Sequence, residues 1–443
     1  VREWNCQTGS LVAMDPHTGE ILAMSSYPTF EPESGVKNIQ DLAARVNLAI
    51  STPFEPGSVF KIITLSAALE TTDLRPESMI ACGPGVLSLY GRRITDIHAY
   101  GTIPLEKVLW KSSNIGAIQA ALRVGDRRLL DYVRDFGFGE KTGIALPAES
   151  PGRVRRLKEW GRTSIGSVAM GHEISATTLQ LARAASVIAN GGLLVRPRVV
   201  LWSRRPGAAR AGMPIEPAVR VLRPETAITM RRMMEGVVLQ GTGIRARLNG
   251  YSAGGKTGSA QIFDFETRRY SHRYNSSFVG FAPVTDPRIV VAVTLNGASR
   301  YGGVVAAPVF RTVAQTALRI LGVVPDVVDP RALPDAAAEE FADLAVAGLG
   351  DGPASPSSGP GFEAARLEAG DGGTPADGEA SFPYLFGPRV PSLQGKTLRA
   401  VLEETSRMGV AVEYVGSGVV RAQYPAAGAV LPVGQKVLVE FAR

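Results

Sequence analysis

Residues 331–380 consist largely of Ala, Gly, Pro, Ser, Asp and Glu with few aromatic side chains, as in Gly350-Asp351-Gly352-Pro353-Ala354-Ser355-Pro356. Such a stretch buries too little apolar surface to offset the entropy lost on ordering it. The chain is therefore expected to fold as two parts joined by a flexible, acidic linker. We place a large domain at 1–325, the linker at 326–386 and a small module at 387–443. With 45% hydrophobic residues in 443, the large part can bury a sizeable core. The module, at about 55 residues, is near the lower limit for folding alone.

Within the large part, Leu11–Met14, the turn Asp15-Pro16-His17-Thr18-Gly19 and Ile21–Met24 read as a β-hairpin. Ser58–Glu70 is a helix-length apolar segment preceded by Pro56 and Gly57, and 104–135 and 175–190 also read as helices. Strands are expected at Ser252–Phe265, Ser276–Ala282 and Arg288–Asn296, followed by a closing helix over Ala307–Leu321. Strands at both ends with helices between them imply an α+β architecture: terminal strands pair in one sheet, and the helical insertion forms a lobe. The module reads as a helix over Leu398–Met408 and strands near Val410–Val415, Val419–Tyr424 and Lys436–Phe441.

The formal charge is +7, but Lys and Arg are scattered rather than gathered into a run with interleaved aromatics, which argues against nucleic-acid binding. The two cysteines, Cys6 and Cys82, have no zinc-type spacing; whether they pair stays open. No Walker loop or HExxH helix occurs, so neither a metal nor a cofactor is expected. No apolar run approaches the roughly 18 residues of a membrane span. Because Gly9–Asp15 already reads as a strand and the chain begins at Val1 without Met, we expect an N-terminal part carrying any membrane anchor to precede it.

Three motifs carry chemistry. In Ser58-Val59-Phe60-Lys61, helical spacing puts the lysine amine beside the serine hydroxyl, which is a poor nucleophile without a base within reach. Burial beside Phe60 and Ile62, or a nearby cation, would let Lys61 take the serine proton. In Ser112-Ser113-Asn114, Ser112 can relay protons with Lys61 and Asn114 can hold a substrate amide, although taken alone the motif reads better as an N-cap for the following helix. In Lys256-Thr257-Gly258, a strand edge can add a peptide, with Lys256 and Thr257 meeting its terminal carboxylate. There Gly255 and Gly258 read either as room for a ligand backbone or as a bulge or bend. Ser34-Gly35-Val36-Lys37 and Lys141-Thr142-Gly143 repeat two of the patterns, but each reads as loop, and His172 reads as structural.

The trio resembles the signature of penicillin-binding proteins and serine β-lactamases. Phe54-Glu55-Pro56-Gly57-Ser58-Val59-Phe60-Lys61 and Gly254-Gly255-Lys256-Thr257-Gly258-Ser259-Ala260-Gln261 are similar to the class B, monofunctional penicillin-binding proteins over roughly residues 8–322. Val390-Pro391-Ser392-Leu393-Gln394-Gly395 and Gln423-Tyr424-Pro425-Ala426-Ala427-Gly428 resemble a single PASTA domain. The resemblance implies the transpeptidase fold, an antiparallel sheet flanked by helices with a helical lobe. It also implies a septal or spore D,D-transpeptidase that acts through a serine acyl-enzyme and is trapped by β-lactams. On it, Ser58 is the nucleophile, Lys61 the base, Ser112 and Asn114 the second motif, and Lys256, Thr257 and Gly258 bind substrate. The amides of Ser58 and Ser259 form the oxyanion hole. It further implies stem peptides and lipid II-derived glycan as substrates, a lipid II polymerase and divisome proteins as partners, and a cytoplasmic (inner) membrane anchor with the domain on the periplasmic side. The rivals are a β-lactamase or β-lactam sensor, and a cell-wall-binding or divisome scaffold acting through the module.

Overall fold

The computed structural model describes residues 1–35, 39–204, 209–264, 269–327, 390–408, 410–424, 427 and 436–442. From residue 328 on, the expected linker lies outside these residues, as do Val36 and Lys37 of one repeated motif and Pro425, Ala426 and Gly428 of the module. The chain divides into two compact units, Val1–Ala354 and Ser355–Arg443.

The first unit opens with the expected hairpin, β1 (Thr8–Met14) and β2 (Ile21–Tyr27). The Asp15 carboxylate accepts the amides of His17 and Thr18 at 2.7 and 3.0 Å, an Asx-type turn, and Gly19 supplies the φ of +75° that closes it.

The helical lobe follows. Its centre is α1 (Lys61–Thr71), in which every residue from Lys61 to Leu69 is buried, as an all-round apolar sequence requires. The helical stretch 104–135 is interrupted at the second motif and once more, giving α2 (Leu105–Trp110), α3 (Asn114–Val124) and α4 (Asp126–Asp135). The breaks fall at Ser112 (φ +58°) and Gly125 (φ +84°), both in the left-handed region that a continuing helix cannot use. Next come α5 (Thr178–Ala189) and the unanticipated α6 (Pro224–Gln240). Pro224 in the first turn of α6, with Ala227, Met230, Met234 and Val237 buried along one side, is a readable helix signal. Two short strand pairs, Met79–Gly83 with Gly101–Pro104 and Val86–Leu89 with Arg92–Thr95, are likewise unanticipated.

The chain then returns to the sheet through β3 (Gly254–Asp264), β4 (Arg269–Ala282) and β5 (Ile289–Ala298), and closes with α7 (Ala307–Ile320). The five-stranded sheet is antiparallel throughout in the order β3-β4-β5-β1-β2, so the terminal segments do pair, Val12 opposite Ala292 and Met14 opposite Val290. Alternate residues of β5 feed two cores. Val290 and Ala292 join Val12, Met14 and the α5 side, whereas Ile289, Val291 and Val293 join Phe310, Ala314 and Leu318 of α7. Coverage on both faces explains why β5 reads as an unbroken apolar run. Phe310 packs against Phe278 with ring centroids 4.8 Å apart and the planes tilted by 51°.

The second unit contains α8 (Leu398–Arg407), β6 (Ala411–Gly416), β7 (Val419–Tyr424) and β8 (Lys436–Ala442) in sheet order β6-β8-β7, with β6 and β8 parallel. Gln423 accepts the Leu393 amide at 2.7 Å and donates to the Pro391 carbonyl at 3.1 Å, tying the two quoted motif segments together over a core of Val390, Leu393, Val401, Val437 and Phe441.

Candidate active site

Gly57, at φ +55°, opens a tight 3-10 turn over Gly57–Phe60 that runs directly into α1 at Lys61. The helix expected from Ser58 therefore begins three residues later, yet the i, i+3 relation holds: Lys61 Nζ lies 3.0 Å from Ser58 Oγ. Ser58 is partly exposed, whereas Lys61 has no exposed surface. The Lys61 amine also donates to Asn114 Oδ1 at 2.8 Å, to Ser112 Oγ at 3.2 Å and to the Ser112 carbonyl.

From the other side, Lys256 Nζ reaches Ser112 Oγ at 2.7 Å and the Thr257 hydroxyl at 3.3 Å. Ser112 thus stands between two fully buried lysines, one on the helical lobe and one on β3. A non-glycine residue at φ +58° is costly, and Ser112 is held there by its surroundings. Its amide and that of Ser113 donate to Leu109 and Val108, while its side chain receives both lysines.

Within the second motif it is Ser113 that takes the N-cap position. Ser113 caps α3, its Oγ accepting the Gly116 amide at 2.9 Å, which leaves Ser112 and Asn114 facing Lys61. Asp96, which no sequence motif marks, holds this turn. Its carboxylate accepts from the Ser113 hydroxyl and the Asn114 amide, and from the Ile115 amide at 3.2 Å. Burial pushes the Asp96 carboxyl up from its ordinary value, against the lowering by the Ser113 hydrogen bond and the Lys61 charge. Asn114 Nδ2 donates to the Thr95 carbonyl at 3.1 Å, so the carboxamide is fixed with its oxygen on Lys61.

Among the described residues β3 is an edge strand, with a sheet partner on one side only. The glycines of Gly254-Gly255-Lys256-Thr257-Gly258 serve internal packing instead of opening space for a ligand backbone. A Cβ at Gly255 would stand 2.3 Å from the Phe278 ring, and one at Gly258 would stand 2.8 Å from both the Pro56 carbonyl and Val59. Neither glycine is a bulge, since the register of β3 on β4 shifts only between Gln261 and Phe263. Gly258 is what lets the Ser58 turn lie directly on β3. Beyond it, the buried Ser259 hydroxyl accepts the Gly302 amide at 2.9 Å.

Lys141-Thr142-Gly143 is a loop, as expected. It wraps the Glu149 carboxylate, which accepts the Thr142 and Gly143 amides at 2.7 and 3.2 Å. Cys6 and Cys82 are both free and buried, and Cys82 Sγ lies 3.4 Å from Ser113 Oγ. Among the described residues no group of His, Cys, Asp and Glu could hold a metal ion, and no helix is long and apolar enough to cross a membrane.

His172 is structural, and its partner locates its role. Its Nδ1 lies 3.0 Å from Glu55 Oε2, and Glu55 Oε1 accepts the Glu173 amide at 3.0 Å, clamping the loop 171–176 to the Ser58 turn. Burial alone would raise the Glu55 carboxyl, but the His172 hydrogen bond and charge and the Glu173 amide outweigh it and hold it below its usual value. This clamp therefore contributes fully above the ordinary glutamate value of ~4.3 and is lost as pH falls through the lowered one. Glu55→Gln is expected to flatten the acid side of a plot of melting temperature against pH; an unchanged acid slope would mean that the clamp adds no stability.

Comparison with known proteins places these residues in a family context. Residues 9–315 match the model for the penicillin binding protein transpeptidase domain, and residues 388–443 that for the PASTA domain. The chain is 35% identical over 324 residues to penicillin-binding protein PbpB of Mycolicibacterium smegmatis, covering 70% of this chain and 50% of the relative. It is 35% identical over 321 residues to stage V sporulation protein D of Bacillus subtilis, covering 71% and 49%. It is 31% identical to the probable peptidoglycan D,D-transpeptidase PenA of Neisseria flavescens, covering 72% and 77%. Among solved structures, penicillin binding protein 3 of Mycobacterium tuberculosis complexed with aztreonam superposes with a TM-score of 0.68 at 33% identity, covering 73% of this chain and 75% of that one. The chain spans about half the length of most of the curated relatives it matches.

Proposed function

This chain belongs to the penicillin-binding protein transpeptidase family, and from that premise we propose that it is a serine D,D-transpeptidase that cross-links peptidoglycan stem peptides. The observation that carries the reading is the position of Lys61 Nζ, 3.0 Å from Ser58 Oγ and 3.2 Å from Ser112 Oγ, with Lys256 on the far side of Ser112. Lys61 takes the Ser58 proton as Oγ attacks the carbonyl of the penultimate D-Ala. The negative charge that develops on the carbonyl oxygen is received by the Ser58 and Ser259 amides. As the C–N bond breaks, Ser112 passes a proton from the lysine side to the departing D-Ala amine. An amine of a neighbouring stem then attacks the ester, gives up its proton by the same route and frees Ser58. Lys256 and Thr257, with Gly258 between the strand and the serine turn, hold the terminal carboxylate at the edge of β3, where a peptide can add as a further strand. Asn114 keeps one amide hydrogen on Thr95 and turns the other toward the substrate amide.

The organisation that goes with this reading is a transpeptidase domain at 1–325, a linker at 326–386 and a PASTA module at 387–443. The enzyme acts in septal or spore wall synthesis at the outer face of the cytoplasmic membrane, with a lipid II polymerase and divisome proteins as partners. The relative named stage V sporulation protein D supports the spore-wall part of that reading. β-Lactams acylate Ser58 when the ring C–N bond opens, and relatives complexed with aztreonam and ampicillin support this.

Incubation with benzylpenicillin, read by intact mass, tests the proposal. The parent chain is expected to gain one drug mass and keep it for many minutes, and Ser58→Ala to gain none. Drug turnover without a lasting adduct would instead indicate a β-lactamase, and a Ser58→Ala adduct would place the nucleophile elsewhere.

A further inference from the structure

We propose that residues 153–162 and a neighbouring hairpin tip form a cationic surface that receives the second peptidoglycan strand, the one supplying the amine, through its stem carboxylates. This rests on the transpeptidase reading above. Cations are scattered along the chain as a whole, yet residues 153–162 carry five of them, Arg153, Arg155, Arg156, Lys158 and Arg162, against the single carboxylate of Glu159. The fold adds Arg92 and Arg93. Their hairpin, Val86–Leu89 with Arg92–Thr95, lays its tip on this stretch: the Arg162 guanidinium lies 4.6 Å from the centre of the Tyr90 ring, and Arg92 donates to the Ser167 hydroxyl at 2.5 Å. Gly166 permits the approach, since a Cβ there would stand 2.6 Å from Leu89.

Only part of this charge is neutralised. Arg155 pairs with Glu173 at 2.7 Å and Arg156 with Glu159 at 2.5 Å. Arg93, Lys158 and Arg162 are exposed, and among the described residues none of the three is in ion-pair contact with a carboxylate. Both halves of the surface run into the walls of the Ser58 site. The hairpin continues from Thr95 into Asp96, and these two residues hold Asn114 by its side chain and its amide. In the other half Glu173, the partner of Arg155, donates its amide to Glu55, three residues before Ser58. The surface thus belongs to the helical-lobe side of the serine, whereas the first stem is assigned to the edge of β3.

The chemistry fits a polymer of repeated anions. Every uncross-linked stem ends in a carboxylate, so a strand bearing many stems carries negative charge at intervals along its length. Arginine meets carboxylates in a two-pronged fork, and exposed side chains that each contribute little can together hold a repeating ligand. Positive charge beside the ester also speeds the arrival of such a ligand. A lipid surface is a poorer match, because the apolar side chains of this stretch, Val154, Leu157 and Trp160, are all half-buried and none is offered to an acyl layer.

The test uses the full chain carrying Ser58→Ala, so that strands bind without reacting, with soluble glycan strands bearing uncross-linked stems as the probe. Arg93→Gln, Lys158→Gln and Arg162→Gln combined are expected to weaken binding on the order of ten-fold. Arg93→Lys with Arg162→Lys keeps the charge and should stay within about two-fold of the parent. Raising NaCl to about 0.5 M, which screens exposed charges beyond about 4 Å, should weaken the parent and leave the triple variant unmoved. Strands whose carboxylates have been converted to methylamides should bind the parent as weakly as native strands bind the triple variant. Equal binding of native and methylamide strands by the parent would overturn the proposal, and so would a triple variant that holds native strands as well as the parent does. If that variant instead loses binding to phosphatidylglycerol vesicles, the surface belongs to a membrane. With Ser58 restored, the triple variant should be acylated by benzylpenicillin at the parent's rate; a slower reaction would mean that the substitutions act on the pocket and would overturn the proposal. A parent chain that is not acylated at all would overturn the reading of the site on which it stands.

Discussion

Lys61→Met is expected to lower the rate at which benzylpenicillin acylates Ser58 on the order of a thousand-fold, the scale set by loss of a positioned general base. Methionine fills nearly the same volume, so the buried space around α1 is kept. What is lost is the amine, and with it the hydrogen-bond partner shared among Asn114 Oδ1, the Ser112 carbonyl and the two serine hydroxyls. Each buried oxygen left without a donor costs about 1–3 kcal/mol, so some fall in melting temperature accompanies the substitution. The two effects separate when adduct formation is followed well below the variant's melting temperature. A loss smaller than ten-fold in a chain that is still folded would remove Lys61 from the role of base.

The second large effect is expected at Gly171, which touches no substrate in the proposed mechanism. Gly171 has φ +81°, and a Cβ there would stand 2.2 Å from the Gly57 carbonyl oxygen, 2.8 Å from the Gly57 nitrogen and 2.7 Å from Phe60 Cβ. None of these is the end of a flexible side chain, so the turn bearing Ser58 would have to move as a body. The Gly57 amide would also lose its 3.1 Å bond to the Gly171 carbonyl. Backbone strain and overpacking together are expected to cost about 3 kcal/mol in Gly171→Ala, measured by urea unfolding. Acylation should fall on the order of a hundred-fold even where the chain is folded, because a shift near 1 Å at the nucleophile is enough for that. Gly191→Ala is the control: φ there is +85°, but nothing lies within 4 Å of the added carbon. Strain alone should cost it about 1 kcal/mol and leave acylation unchanged. Equal losses in the two variants would mean that the close approach of Gly171 to the serine turn is immaterial.

The sheet is legible in the sequence because its signals are local: an Asx turn at Asp15, and runs of β-branched residues at Ile289–Val293. The three motifs are legible because each lies within a few residues of chain, and a decoy such as Lys141-Thr142-Gly143 is betrayed by the proline-rich loop residues after it. The supporting residues cannot be read that way. Asp96 acts on Ser113, Asn114 and Ile115 across seventeen to nineteen positions. No periodicity links residues at such distances. The glycines of β3 mislead for a related reason: an absent side chain reads as open space, and only the packed structure shows Phe278, Val59 and Pro56 filling it. Within 104–135 the N-cap pattern of Ser112-Ser113-Asn114 marks a helix start, but a serine at φ +58° leaves no trace in composition; that conformation is held by the partners of Ser112. The long helix α6 is different, since its proline start and apolar spacing are plain in the sequence and a helix was there to be expected.

The pairing of β1 with β5 ties the opening of the domain to a strand that leaves the ribosome only after the whole helical lobe has been made. Contacts this remote in sequence form late and slowly, because a long loop must close before they return any energy. Until β5 is in place, β4, the sheet partner of the strand bearing Lys256, lacks its inner neighbour. Reactivity toward a β-lactam should therefore be a finishing signal for the domain: a chain that stops short of residue 289 carries Ser58, Lys61, Ser112 and Lys256, and lacks the strand that joins the two ends of the sheet.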